Sequence, residues 1–138
     1  MHVKVFSMRL RRAALSGLLL SVFLSACWSQ TAPVPSVSNA EIATRIAGSS
    51  APIILDVRSP EEFSEGRIPG AVNIPYDALE ERLAELAAGQ DDEIIVYCRS
   101  GRRAVIAEEI LVAAGYRNVR DLEGHMIGWD AAGLATEK

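Results

Sequence analysis

The stretch IIVYCRSGRRAVIAEEILVAAG, residues 94–115, decides the fold of this 138-residue chain. Residues 94–97 are apolar on both faces of an extended segment, which is typical of a strand in the covered interior of a parallel sheet. Residues 103–114 follow a helical pattern, and Gly115 stands where a helix commonly ends. Only a short loop joins the two elements. The stretch therefore predicts a strand–loop–helix unit of the α/β class.

The same order of elements continues on both sides of this stretch. Capping boxes begin three of the predicted helices, at Ser38, Ser59 and Asp77. The sequence predicts strands at residues 53–57, 71–74, 94–97 and 119–122, and helices at 38–48, 59–66, 77–89, 103–114 and 125–132. Repeated strand-then-helix order implies right-handed crossovers and a parallel sheet. We expect one α/β domain over residues 38–138, with helices on both faces of the sheet.

The charge of the chain is unevenly distributed. Residues 1–26 hold four of the fourteen basic residues and none of the eighteen acidic ones, so the remainder has a net charge of −8. So acidic a domain repels phosphate backbones, which argues against nucleic acid as a partner. Two cysteines and two histidines supply neither a disulfide framework nor a structural zinc site. We expect no metal or cofactor, and a monomer.

The N-terminus has the pattern of a secretory signal peptide. Residues 1–12 are basic, and the apolar run that follows, up to residue 26, is too short to span a bilayer. The string LSAC, residues 24–27, resembles a bacterial lipobox, which implies that Cys27 carries lipid such as palmitate. Residues 27–37 then form a lipidated tether, and the domain lies in the cell envelope facing the periplasm or the exterior. An uncleaved membrane anchor and a non-lipidated signal peptide are the alternatives.

The loop after residue 97 holds the candidate catalytic residue, Cys98. In parallel sheets, sites lie beyond the carboxyl ends of the strands. Gly101 permits a tight curl, so that successive backbone N–H groups can point at the thiol, and the following helix adds its positive end. The loop comprises Cys98, Arg99, Ser100, Gly101, Arg102 and Arg103, and its arginines also favour a thiolate. The alternative is a small buried cysteine beside arginines that pair with Glu108 or Glu109.

Three segments resemble those of single-domain rhodaneses, the thiosulfate sulfurtransferase fold. They are DVRSPEEFSEGRIPGAVNIP (residues 56–75), CRSGRR (98–103) and LEGHMIGWDAAGL (122–134). The resemblance implies that Cys98 takes a sulfur atom from a small sulfur-containing anion such as thiosulfate and holds it as a persulfide. A thiol or cyanide then accepts the sulfur. The loop residues would bind the donor, and two-step covalent catalysis would follow.

Other positions of these segments either match the family pattern or depart from it. Asp56 and Arg58 match the Asp-Val-Arg signature of the family, and they either position an arginine near the loop or tie the strand end to the next helix. Arg67 stands where many members have histidine, and His125 where many have glycine. Neither position belongs to the cysteine loop of the motif. We expect His125 to be a helix cap or a surface residue and not a general base, with a place at the mouth of the site as the alternative.

Three other functions compete with sulfur transfer. Phosphatases and arsenate reductases of related fold use a longer loop with arginine six positions after cysteine, whereas position 104 is alanine here. A binding or sulfur-carrier module could use the fold without turning over small donors. A redox thiol could form a mixed disulfide with another molecule, since a lone thiol has no resolving partner in the domain.

Overall fold

The computed structural model describes residues 32–138. A five-stranded parallel sheet has the strand order β1-β5-β4-β2-β3. The strands are β1 (Ser36–Val37), β2 (Ile53–Asp56), β3 (Val72–Asn73), β4 (Ile94–Tyr97) and β5 (Val119–Leu122). The helices are α1 (Asn39–Ala47), α2 (Pro60–Glu65), α3 (Leu79–Arg82), α4 (Arg102–Ala113) and α5 (His125–Ala131), with a 3₁₀ turn at Leu83–Leu86. The predicted α/β class and parallel sheet are confirmed.

Both faces of the sheet are covered, which explains why the central strands are apolar on both sides. Along β4, Ile94 and Val96 belong to one hydrophobic cluster, and Ile95 and Tyr97 belong to another. The first cluster includes Leu79, Ala104, Ala107 and Leu111 from α3 and α4, and the second includes Ile42, Met126 and Trp129 from α1 and α5. Fully burying one large apolar side chain contributes about 1.5–3 kcal/mol. The two layers of helices therefore hold β4 in the middle of the domain.

Two of the three predicted helix starts have their side-chain caps. Ser59 and Glu62 form a reciprocal capping box, and Ser38 Oγ accepts the Glu41 N–H at 3.2 Å. The third prediction is wrong, because α3 begins after Ala78 with no side-chain cap. The 3₁₀ turn that continues α3 ends at Ala87, which has a left-handed backbone conformation, and not at Gly89 as predicted. The Gly89 N–H instead donates to the Asp92 carboxylate, so that Gly89 belongs to the next turn.

The first strand lies where a tether was predicted. Ser36 and Val37 pair in parallel with Asp121 and Leu122 at the open edge of β5. Val37 is 2% exposed and fills the second hydrophobic cluster. A two-residue strand is too short to show a periodic pattern, which is why sequence patterning missed it. Cys27 and residues 1–26 lie outside the described residues. Among residues 32–138, no helix is long and apolar enough to cross a membrane.

Candidate active site

Cys98 follows β4 directly, at the carboxyl end of the central strand and 1% exposed. Its carbonyl accepts the Met126 N–H at 3.1 Å, and the Arg99 carbonyl accepts the Ile127 N–H at 3.2 Å. Since a trans peptide places its C=O and the next N–H on opposite sides, the N–H groups of Arg99 and Ser100 point away from α5. The start of α5 thus orients the backbone of the loop.

The thiol receives a backbone hydrogen bond from within the loop. Gly101 N–H donates to Cys98 Sγ at an N···S distance of 3.0 Å. Gly101 has φ +114°, a conformation that residues with a side chain rarely adopt, and it precedes the first residue of α4. The positive end of this twelve-residue helix therefore adjoins the sulfur. Both effects favour the negatively charged form of the thiol.

Arg103 lies against both the thiol and α2. Its guanidinium donates two hydrogen bonds to Glu62, at 2.6 and 3.0 Å. These bonds lower the pKa of Glu62 to about 2 and raise the pKa of Arg103, and Cys98 contributes to the rise. The alternative pairing with Glu108 or Glu109 does not occur for this arginine, because the loop turns its side chain toward α2. The side chains of Arg99 and Arg102 are exposed, as is Ser100.

A cavity of about 260 Å³ opens on the thiol. It is lined by Tyr76, Cys98, Ser100, Arg102, Arg103 and Ile106. Arg102 is exposed and supplies positive charge, Arg103 is paired with Glu62, and the aromatic ring of Tyr76 and the aliphatic side chain of Ile106 supply apolar surface. A larger hollow of about 370 Å³ between α3 and α4 holds no nucleophilic side chain. The loop cavity is therefore where a small anion can meet the sulfur.

Asp56 and Arg58 form a buried ion pair away from this cavity. Arg58 Nη2 lies 2.7 Å from Asp56 Oδ2 and also donates to the Gly66 carbonyl at 2.7 Å. Asn73 donates to the carbonyls of both residues. Of the two roles that the sequence left open, these contacts match the tie between the end of β2 and α2. Asp56 does not bond to an arginine of the loop.

His125 lies directly against the backbone of the cysteine loop. It is 7% exposed, and its Nδ1 lies 3.4 Å from the Cys98 backbone nitrogen. The expectation of a cap or a surface residue is wrong, because Gly124 is the N-cap of α5 and the imidazole is buried against the loop, nearer to the alternative of a residue beside the site. The sequence contains one indication of this position: His125 is the first residue of the predicted helix that follows the last strand, so it lies near the carboxyl ends of the strands.

The described part of the chain offers no metal site. Nowhere within residues 32–138 do three or more His, Cys, Asp or Glu side chains group as metal ligands would.

The sequence of this chain matches a known protein family. The model for the Rhodanese-like domain family matches residues 38–132. The chain is 41% identical over 95 residues to thiosulfate sulfurtransferase 16, chloroplastic, from Arabidopsis thaliana, covering 60% of this chain and 78% of that one. It is 32% identical over 101 residues to a sulfurtransferase of Allochromatium vinosum, covering 73% and 92%.

A solved structure has the same fold. The crystal structure of the Alr3790 protein from Anabaena sp. superposes with a TM-score of 0.68 at 29% identity. The match covers 73% of this chain and 81% of that one.

Proposed function

Because this chain belongs to the Rhodanese-like domain family, we propose that it is a sulfurtransferase in which Cys98 carries a sulfur atom from a small anionic donor such as thiosulfate to a thiol or cyanide. The observation that carries the proposal is the hydrogen bond from Gly101 N–H to Cys98 Sγ at 3.0 Å, at the base of a cavity with two arginines. A thiolate held by backbone N–H in an electropositive cavity is an activated sulfur nucleophile.

The reaction proceeds in two balanced steps. Cys98 thiolate attacks the outer sulfur of thiosulfate, a new S–S bond forms, and the S–S bond of the donor breaks so that sulfite leaves with the electron pair. The product is a Cys98 persulfide with a negative outer sulfur. An acceptor thiolate then attacks that outer sulfur, takes it away as its own persulfide and regenerates the Cys98 thiolate. Cyanide gives thiocyanate in the same way, and neither step needs an added oxidant or reductant.

The loop performs two tasks in this scheme. Its inward N–H and the end of α4 stabilise negative charge on sulfur, in the free thiolate and in the persulfide alike. The exposed Arg102 gives the cavity a positive charge that attracts an anionic donor, whereas the charge of Arg103 is paired with Glu62. The cavity of about 260 Å³ lies just below the usual range of about 300–1,000 Å³ for ligand sites, which suits a donor of a few atoms.

The contact between Arg103 and Glu62 argues against phosphate or arsenate as the substrate. Recognition of a tetrahedral oxyanion uses an arginine whose planar fork is free for two parallel hydrogen bonds. Here both terminal nitrogens of Arg103 are bonded to Glu62, and the loop ends one residue earlier than in the related phosphatases. Thiosulfate is also tetrahedral, but Cys98 retains only its outer sulfur atom in the proposed reaction, and holding one sulfur atom requires no such fork.

Intact mass spectrometry of the purified protein, before and after thiosulfate, tests the proposal. We expect the mass of the protein to rise by one sulfur atom, cyanide or a thiol to remove that sulfur, and Cys98→Ala to show no gain, which would locate the sulfur on Cys98. If the native protein gains no sulfur while Cys98 still reacts with iodoacetamide, the proposed turnover of thiosulfate is wrong. The result would favour a binding or sulfur-carrier module instead.

We further propose that Cys27 is acylated after removal of residues 1–26, and that the domain works in the bacterial cell envelope. The support is the basic, apolar and LSAC pattern of the sequence. Stable anchoring requires more than one acyl chain, which lipidation of this kind would provide. In cell fractionation, Cys27→Ser should release the protein from membranes or leave an uncleaved precursor. Unchanged, fully processed membrane protein would contradict the proposal.

A further inference from the structure

We propose that His125 is a positioning residue for Cys98, whose unprotonated Nδ1 accepts the Cys98 backbone N–H and fixes the direction of the thiol. The inference rests on the proposed function only in taking Cys98 as the sulfur-carrying nucleophile. It concerns the geometry of the free enzyme, which can be measured without a sulfur donor.

Three consecutive residues hold the backbone around the thiol. His125 Nδ1 accepts the Cys98 N–H at 3.4 Å, Met126 N–H donates to the Cys98 carbonyl at 3.1 Å, and Ile127 N–H donates to the Arg99 carbonyl at 3.2 Å. The peptide planes on both sides of Cys98 are therefore fixed, and with them the direction of its Cα–Cβ bond. Of these contacts, only the first depends on a side chain.

The backbone conformation of His125 indicates that histidine does not occupy this position because of its intrinsic conformational preference. His125 has φ +52°, the left-handed region in which a residue with a side chain is strained and glycine is not. The residue is also nearly buried, so its imidazole gains nothing from exposure to water. Strained conformations of this kind persist where the surrounding structure enforces them, and they cluster at functional sites.

The contacts of the ring determine where its proton lies. An accepting Nδ1 places the proton of the neutral imidazole on Nε2, which lies 3.5 Å from Asp121 Oδ1. Burial lowers the pKa of His125, and the Asp121 carboxylate opposes that shift, so the ring is neutral near pH 7. Glu108, packed against Asp121, has a pKa raised to about 8 by burial and by that neighbour. Glu108 therefore holds a proton near pH 7.

The same contacts exclude His125 as a general base. The accepting nitrogen ends on the backbone amide of Cys98 and not on Sγ, so a proton cannot pass from the thiol to Nδ1 along the observed hydrogen bond. The titratable groups that face the ring are Asp121 from β5 and, behind it, Glu108 from α4, with Cys98 on the loop. Protonation of Nδ1 would set two N–H groups against each other and displace the loop.

The position of the ring explains a second constraint on the loop. A Cβ atom built on Gly101 would lie 2.8 Å from His125 Nε2. The imidazole thus fills the space behind Gly101 as well as the space behind Cys98. Any rotation of the loop toward α5 would meet the ring, which keeps Gly101 N–H on the sulfur.

The tautomer is the first test, by ¹⁵N NMR of histidine-labelled whole protein without donor at about pH 7. The signal lost in His125→Asn identifies the ring. We expect a neutral imidazole with the proton on Nε2 and an unprotonated, hydrogen-bonded Nδ1. A proton on Nδ1, in either the other tautomer or the imidazolium, would overturn the proposal whatever the enzyme does with sulfur.

The second test is the rate at which iodoacetamide alkylates Cys98, followed by peptide mass spectrometry. We expect His125→Gly to react about tenfold more slowly, because displacement of a reacting group by a fraction of an ångström has effects of this size. His125→Asn keeps a short acceptor and tolerates the left-handed conformation, so it should retain part of the rate. Ala87→Gly, a matched control, relieves a similar strain at φ +51° away from the loop and should react like the wild type.

Each outcome of the alkylation experiment either supports or contradicts the positioning role of His125. An unchanged rate in His125→Gly overturns the proposal, and so does an equal loss in His125→Gly and Ala87→Gly, since that would reflect general stability. A wild-type protein that alkylates as expected and yet never gains sulfur from thiosulfate contradicts the proposed function and leaves the positioning role of His125 standing.

Discussion

Arg103 and Glu62 form a two-point ion pair, in which Nη1 lies 2.6 Å from Oε2 and Nη2 lies 3.0 Å from Oε1. The pair joins the first turn of α4 to α2. The far end of α2 is held by Arg58, which donates to the Gly66 carbonyl while it pairs with Asp56. The buried Asp56–Arg58 pair therefore affects the loop indirectly, because it fixes α2, the helix that carries Glu62.

Glu62→Gln should reduce the pH dependence of stability in acid. The hydrogen bonds from Arg103 lower the pKa of Glu62 from 4.5 to about 2. A carboxylate whose pKa is depressed in the folded state stabilises the protein above its unfolded pKa, and that contribution is lost as the pH falls toward the folded value. In urea unfolding, the stability gap between wild type and variant should close between about pH 4.5 and pH 2.

Glu65→Gln is the matched control for this prediction, because Glu65 is an exposed residue of the same helix without an arginine partner in the described range. Its gap from the wild type should stay small at every pH. A Glu62→Gln gap that remains constant down to about pH 2 would show that the ion pair does not stabilise the fold.

Arg103→Ala should slow the alkylation of Cys98 by iodoacetamide at about pH 7. The pKa of Arg103 is raised chiefly by Glu62 and further by Cys98, which places the guanidinium charge within reach of the sulfur. Removing that charge removes part of what stabilises negative charge on the attacking sulfur. Arg103→Lys, which keeps the charge but not the two-point geometry, should slow the reaction less. If Arg103→Ala reacts at the wild-type rate, Arg103 has only a structural role.

Sequence patterning found the strand–helix units and the nucleophile because both depend on neighbouring residues. The apolar run of β4, the Ser59 capping box and the loop after residue 97 are all local features. The Arg103–Glu62 contact joins residues 41 positions apart, and it depends on the order in which the strands pair. Nothing in a local pattern gives that order.

The environment of His125 likewise could not be predicted from neighbouring residues in the sequence. A histidine at a helix start is commonly a cap, and only the approach of α5 to the end of β4 buries it beneath the loop. Strand β1 escaped prediction because its two residues show no period, and its place in the sheet is set by the open edge of β5. The residues that support the site can therefore be identified only from the tertiary structure, whereas the nucleophile and its loop can be identified from neighbouring residues in the sequence.

Gly101→Ala should abolish sulfur transfer while the fold persists. The native φ of +114° strains any residue with a side chain, at a cost of about 1–3 kcal/mol. The new methyl group would also meet His125 Nε2 at 2.8 Å, so the loop must shift and its N–H must leave the sulfur. Persulfide formation and circular dichroism measure the two effects separately.

The double variant Gly101→Ala with His125→Gly separates the two causes of that loss. It removes the contact with the ring and keeps the backbone strain, so activity should stay far below that of the wild type. Recovery to the level of His125→Gly alone would mean that the clash, and not the conformation, makes glycine necessary at position 101.

Glu108→Gln should stabilise the protein at neutral and alkaline pH. Burial, with Asp121 beside it, raises the pKa of Glu108 to about 8. Between the unfolded and folded pKa values the native state binds the extra proton, so wild-type stability falls as the pH rises from about 4.5 through 8. A neutral amide has no proton to lose. The variant should therefore unfold at higher urea than the wild type at about pH 8, by on the order of 1–3 kcal/mol, and the advantage should vanish near about pH 4.5.

Glu109→Gln provides the comparison for Glu108→Gln, because Glu109 is the exposed neighbour on the same helix and carries the same charge. Equal stabilisation by both variants would point to the net negative charge of the domain as the cause, and not to burial of one carboxyl group. Stabilisation confined to Glu108→Gln, together with an unchanged rate of Cys98 alkylation, would locate the effect at the Glu108–Asp121 pair. It would also show that the imidazole of His125 keeps its orientation when the carboxyl group behind Asp121 becomes an amide.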